Sequence, residues 1–173
     1  MRFNHFEWLK KAEGSIAQSH EIFVKHFRSK YKCEKHLPAW MVCEVISFGQ
    51  ASQLFRGLKK HDRQAIARGY YGIDQMVLVS WLHTLVYVRN LCAHHCRIWN
   101  RTLAIRPKIL HKSSRWENVS NSKVFYVILI LKHLTRGEQK WNDWINKLST
   151  LFETFSNVEI NKMGFPDHWK KLV

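Results

Sequence analysis

Acidic side chains are scarce in this chain. Asp and Glu number 13 against 28 Lys and Arg, a formal net charge of +15 before any of the 11 histidines takes a proton. So large an excess points to a polyanionic partner, of which nucleic acid is the commonest; the plainer reading of a basic chain is a solvated surface. Glycine (7) and proline (3) are also few, which removes collagen-like and low-complexity classes, and no glycine-rich phosphate loop is present. Strand alternation is nearly absent. The four cysteines form no C-x-x-C pair, which suits a reduced cytosol better than a disulfide scaffold. The longest apolar run, Val124–Leu131, falls far short of the ~20 residues that span a bilayer, and the polar start lacks the apolar core of a signal peptide. These absences together predict a soluble, cytoplasmic chain with no membrane partner.

What is present is apolar and aromatic. Hydrophobic residues make up 46% of the 173, with eight Trp and ten Phe, enough to bury a core in one domain without staples. Helical periodicity runs through almost every segment. It predicts a first helix over 3–29, interrupted or bent near Gly14, then a basic tail from Lys25 to Lys35 leading into a loop. Pro38 suits the first turn of a second helix, which continues to about Leu58. Asp62 is expected to cap a short third helix ending at Gly69 or Gly72. Asp74 is a good N-cap for a long helix over 75–98. Residues 102–110 are the one plausible extended piece, followed by a polar loop over 111–120. Two further helices are expected, 122–135 and 138–156. The terminal MGFPDHWKKLV reads as a Gly/Pro turn folding an aromatic back onto an all-α bundle.

The chain is organised around 81–101, WLHTLVYVRNLCAHHCRIWNR. On an ideal helix Trp81, Leu85, Val88, Cys92, Cys96 and Trp99 share a narrow arc, a seam expected to be buried. The opposite arc carries His83, Tyr87, Asn90, His94, Arg97 and Arg101. Asn90 and His94 are i, i+4 neighbours and His94 and Arg97 are i, i+3, so their side chains can meet. Arg89 lies about 140° from His94 on the same wheel and would have to sweep sideways to join it. Histidine is the side chain whose ordinary titration falls near neutrality, which suits His94 to proton transfer. Arg97 and Arg101, with Trp99 between them, suit phosphates and a stacked base; equally, Trp99 can be core and the arginines solvated. Cys92, His94, His95 and Cys96 raise a zinc reading, but four ligands cannot converge from one rigid helix, so no metal is expected.

The string RNLCAHH followed by RIWNR resembles the signature of the Abi-like (abortive infection) proteins, whose core belongs to the HEPN superfamily of helical ribonucleases. The HEPN pattern is Arg, a polar residue, three more, then His: here Arg89, Asn90 and His94. LPAWMVCEVISFGQASQLFRGL (37–58), RQAIARGYYG (63–72) and MGFPDHW (163–169) match further landmarks in order. The resemblance implies a HEPN-like helical bundle with a long motif-bearing helix. It implies metal-independent endoribonuclease activity without a cofactor, leaving a 2′,3′-cyclic phosphate. His94 would move protons, Arg89 would meet charge on the phosphate, and Asn90 would orient the site. His95, Arg97, Trp99 and Arg101 would bind RNA. It further implies a homodimer with a composite site. Family members are usually longer at the N-terminus, so the chain is expected to be one helical domain over 1–173, the C-terminal part of such a protein. The alternative function is a basic RNA- or protein-binding module that cleaves nothing.

Overall fold

Asn4 stands in extended backbone and its Oδ1 accepts from the Glu7 amide at 3.3 Å, which opens α1 (His5–Gln18) in the computed structural model. The structure describes residues 3–110, 116, 118–135 and 139–173. All regular structure among them is helical. Gly14 does not interrupt α1, which runs through it to Gln18. One glycine costs a helix interior only about 1 kcal/mol, and the break comes at Ser19–Glu21, before α2 (Ile22–Lys30). The expected second helix is likewise two: α3 (Ala39–Val45) and α4 (Phe48–Gly57), with Pro38 as the N-cap of α3. Ser47 forces that division. Its hydroxyl accepts from the Gln50 amide while the Gln50 side chain accepts from the Ser47 amide, a capping box that starts a helix anew.

The chain divides into two compact units after Arg63. In the first, Trp8, Ala12 and Ile46 form the buried cluster, with Phe3, Val42 and Leu54 against it. The Trp8 indole donates to the Gln50 carbonyl at 2.9 Å and Gln50 Nε2 donates to Ser15 Oγ at 3.0 Å, so one glutamine ties α4 to α1. Gly57 lies beneath the Phe3 ring, where a Cβ would collide.

The division falls in the first turn of α5 (Lys60–Tyr71), which begins ahead of Asp62; Asp62 pairs with His61 at 2.7 Å instead of capping. Gly72 ends α5 in the left-handed region, φ +65°. The second unit is centred on α6 (Gln75–Ala93) and α7 (Val124–Thr135), whose Phe125–Ile130 are all buried. Trp81 of α6 stacks on Trp116 at 5.4 Å and meets His133 edge-on at 5.3 Å; Trp116 in turn stands edge-on to Tyr126. The expected extended piece is irregular and held by backbone and side-chain hydrogen bonds. Leu103 is buried and its amide donates to the Ser122 carbonyl at 2.8 Å, Asn121 Nδ2 donates to the Pro107 carbonyl at 2.8 Å, and the Trp81 indole donates to the Lys108 carbonyl at 2.9 Å. Most of the polar loop after it, 111–115 and 117, lies outside the described residues. After α8 (Gln139–Thr154), Gly164 turns the chain at φ +88°. Phe165 and Trp169 then fold back onto Phe125 and Phe152, as the terminal motif predicted.

Among the described residues one helix, α6, is long and apolar enough to cross a membrane by composition. It forms no unbroken apolar run in the sequence, because His83, Thr84 and Arg89 interrupt it. A packed core helix meets the same criterion, and Leu78, Trp81 and Thr84 are buried within the second unit.

Burial raises the Tyr126 hydroxyl above its ordinary value, partly offset by the hydrogen bond it accepts from the Leu110 amide at 3.1 Å. A tyrosine with a raised folded pKa stabilises the fold fully below the unfolded value of about 10 and loses that contribution as pH climbs through the folded value. Tyr126→Phe should therefore flatten the alkaline fall in thermal stability above about pH 10. At neutral pH it should cost about 1 kcal/mol for the missing hydrogen bond. Melts from neutral to strongly alkaline pH check both.

Candidate functional site

Asp74 begins the site's helix as expected, its carboxylate accepting from the Met76 amide at 2.7 Å. The apolar seam is buried at Leu78, Trp81, Leu85 and Val88, and there burial stops. The next turn, Arg89 to Ala93, stands out of the core with only Leu91 partly covered. Cys92 and Cys96 are exposed, contrary to the buried seam expected of them. Cys92 holds the right angle on the wheel, but the core ends one turn before it. Cys96 is not on the helix at all.

The helix stops at Ala93, not at 98, and no glycine or proline stops it. His94 is the C-cap, and His95 takes the left-handed conformation at φ 53°. The His95 amide donates to the Cys92 carbonyl at 3.0 Å and the Cys96 amide to the Leu91 carbonyl at 2.8 Å. That pair of bonds is a Schellman end, with histidine where glycine is usual. The turn is imposed from further along, where Ile98 and Trp99 become half-buried and Leu103 enters the core. A continuing helix would carry all three away from it.

This ending rearranges the candidate residues. Arg89 sweeps sideways and its Nη1 donates to Asn90 Oδ1 at 3.3 Å. The Asn90 carbonyl accepts from the His94 amide at 3.0 Å. Arg89, Asn90 and His94 thus occupy the exposed last turn and its cap. The His94 imidazole has no hydrogen-bond partner among the described residues. Arg97 and Arg101 leave the helix with the turn; Arg101 Nη1 donates to the Arg97 carbonyl at 3.2 Å. Asn100 between them is also left-handed, φ 53°. Trp99 is half-buried, its indole N–H enclosed without a partner among the described residues, and the Lys162 ammonium stands 5.8 Å from its ring. His95 is exposed. Among the described residues no three His, Cys, Asp or Glu side chains gather as metal ligands. The Arg89–Asn90 hydrogen bond was foreshadowed by the adjacency of a long donor and an amide. The strained His95 had no signal in the sequence.

A non-glycine residue in the left-handed region costs about 1–2 kcal/mol, although histidine is several-fold enriched there. Glycine removes that strain but frees the unfolded chain. His95→Gly should therefore raise stability by about 0.5–1 kcal/mol net, a rise of roughly 1–4 °C in Tm at this size. A thermal melt showing a loss instead would mean that the imidazole holds the turn together.

The long apolar helix of this all-helical chain thus ends in an exposed Arg-Asn-x-x-x-His turn. A family model described as Abi-like protein matches residues 1–100, which takes in α1 through α6 and the turn beyond. The chain belongs to the Abi-like protein family, and membership ties it to abortive infection, a defence against phage. The terminal MGFPDHW landmark lies beyond the matched residues. No curated protein and no solved structure matches the chain.

Proposed function

We propose that this chain is a HEPN-type, metal-independent endoribonuclease of a phage-defence system, acting in the cytoplasm without a cofactor. The observation that carries the reading is the Arg89–Asn90 hydrogen bond at 3.3 Å. It swings the guanidinium onto the face where Asn90 and His94 are i, i+4 neighbours, which offsets the divergence of the ideal wheel.

In the reaction, a 2′-hydroxyl attacks the adjacent phosphorus; His94 either takes the hydroxyl proton or protonates the departing 5′-oxygen, and solvent water makes the other proton transfer. The P–O5′ bond breaks, and a 2′,3′-cyclic phosphate and a 5′-hydroxyl result. Arg89 meets the charge that builds on the phosphoryl oxygens, and Asn90 holds Arg89. A helix C-terminus carries roughly half a negative charge, so attraction for phosphate has to come from Arg89, Arg97 and Arg101. His95 and Trp99 would complete the RNA-binding surface. Incubation of purified protein with mixed RNA in EDTA tests the reading. Products ending in 2′,3′-cyclic phosphate are expected; intact RNA at every protein concentration would sink it.

One observation favours a second reading, a module that binds RNA or protein without cleaving. A catalytic histidine is usually oriented by a neighbour, and none of the described residues orients the His94 imidazole. A second copy of the chain would reconcile the two readings, because a two-fold axis beside the projecting turn sets motif against motif, and symmetric dimers are the commonest oligomers. Mixing Arg89→Ala with His94→Ala protein should then restore activity in the heterodimer. Full activity from a strict monomer would exclude the composite site.

A nuclease and an RNA-binding module both require electrostatic binding. RNA affinity should fall steeply with salt through counterion release. Replacing Arg97 and Arg101 with Gln should reduce the slope by about one for each phosphate that these arginines neutralise in the parent protein. Filter binding over a salt series measures it, and a slope near zero in the parent protein would remove RNA from the partners.

A further inference from the structure

Within the first unit a cavity of about 650 Å³ opens between α1, the end of α2, the loop that follows it and α3. Small-molecule sites span ~300–1,000 Å³. The floor is apolar, formed by Trp8, Ala12, Ile16 and Val42. Phe27 and Tyr31 make one wall, their ring centroids 4.9 Å apart. Tyr31 is 46% exposed, and the Lys30 ammonium stands 5.6 Å from its centroid. The mouth has mixed charge: Arg28, Lys32 and Lys35 against Glu13 and Glu34. Glu13 lies 3.8 Å from His36. Arg28 is already positioned, since its Nη2 donates to the Ile16 carbonyl at 3.4 Å.

We propose that this cavity binds a single unpaired nucleotide of RNA, its base against Tyr31 and the apolar floor and its phosphate on Arg28, Lys32 and Lys35. Three demands of the ligand follow from the lining. It must present a flat apolar face, because an exposed tyrosine packed on Phe27 is a stacking platform. It must carry an anion, because the cations cluster at the mouth. It must also donate hydrogen bonds, because two carboxylates share that mouth and accept only. A long-chain carboxylate meets the second demand alone, because it has neither a flat face to stack nor a hydrogen to donate. A nucleotide meets all three. The cations continue past the mouth to Lys25 and Lys30, with Glu34 the one acid between 25 and 36. That is more positive charge than one phosphate uses, so a polynucleotide is the better source than a free mononucleotide. The inference does not rest on the ribonuclease reading, since it concerns the other unit.

Cys43 lines the cavity and is exposed, which supplies a reporter. With Cys33, Cys92 and Cys96 changed to Ser, the rate of Cys43 alkylation by neutral iodoacetamide reads occupancy. A 2′-O-methyl RNA hexamer, which cannot be cleaved through its 2′-oxygen, should slow it about tenfold at roughly ten times its Kd, as simple occupancy requires. The four nucleoside monophosphates should protect more weakly; protection equal to the hexamer's would keep the site and make the free nucleotide its ligand. Tyr31→Ala, and Lys32→Gln with Lys35→Gln, change exposed side chains and should return most of the unprotected rate with the helical circular dichroism unchanged. If Tyr31→Ala unfolds, the lysine variant decides. Absence of protection by any nucleotide or hexamer at millimolar concentration would overturn the proposal. So would protection by dodecanoate alone, or protection undiminished in the folded variants.

Discussion

Alanine in place of His94 should lower RNA cleavage by about 10²–10⁴-fold, the range that a positioned proton-transfer group supplies. The fold should not notice the change. His94 is exposed, and what closes the helix is its backbone amide on the Asn90 carbonyl, which alanine keeps. Single-turnover cleavage of a labelled RNA in EDTA measures the loss, and a thermal melt of the same protein shows that structure has been kept. Activity within a few-fold of the parent would remove His94 from the chemistry. His95→Gly is the informative companion. It relieves the left-handed turn without touching His94, so cleavage at parental rates from a stabilised protein would assign His95 to the backbone geometry. Cleavage that disappears along with the imidazole would assign it to the RNA.

The largest effect on stability is expected at Trp81. Its side chain is fully buried, stacked on Trp116 at 5.4 Å with the rings 16° from parallel, and hydrogen-bonded to the Lys108 carbonyl at 2.9 Å. Trp81→Ala opens a cavity and should cost about 3–5 kcal/mol. The unpaired carbonyl of Lys108 adds about 1–3 kcal/mol if water cannot reach it. Folded domains hold only about 5–15 kcal/mol in total, so the second unit would be left near its unfolding threshold at room temperature. Trp81→Phe keeps an aromatic face on Trp116 and should fall well short of that loss. Urea titrations should show the midpoint dropping in the order parent, Phe, Ala. A midpoint for the alanine form close to the parent's would mean that the indole cluster is not where the unit draws its stability.

Periodicity locates the buried face of α6 because that face obeys local rules: Asp74 caps it, and Leu78, Trp81, Leu85 and Val88 recur at helical spacing. Gly72 and Gly164 are legible for the same reason, each ending or turning the chain where only a positive φ serves. The stop at Ala93 is not legible. No residue between Cys92 and Trp99 breaks a helix by itself, and the turn is set by the entry of Leu103 into a core made of distant segments. Tertiary burial overrides propensity there, and the consequence passes on to Cys92 and Cys96, whose wheel angles mean nothing once the core has ended. Gly14 misleads in the opposite direction, since one glycine is too weak a local signal to interrupt a helix that packs along its length. Ser47-x-x-Gln50 is a readable capping box, hidden inside a run whose apolar residues look continuous. Of the cavity in the first unit only the basic tail from Lys25 to Lys35 is visible in the sequence, because a concavity exists only once separate helices have converged.

The stacked indoles of Trp81 and Trp116 have an optical consequence. Two strong transition dipoles held so close in nearly parallel planes couple, and the coupled states absorb left- and right-handed circularly polarised light with opposite preference. The protein should therefore show a paired positive and negative band in the far ultraviolet, where indole absorbs most strongly. The Trp141–Trp144 pair at 5.2 Å also contributes, and the band would be absent from a chain with the same eight tryptophans held apart. All four rings belong to the second unit, so the couplet registers that unit alone. The helical signal, by contrast, sums over both. Followed together through a denaturation, the two signals would show whether the halves of this chain melt as one body or in turn.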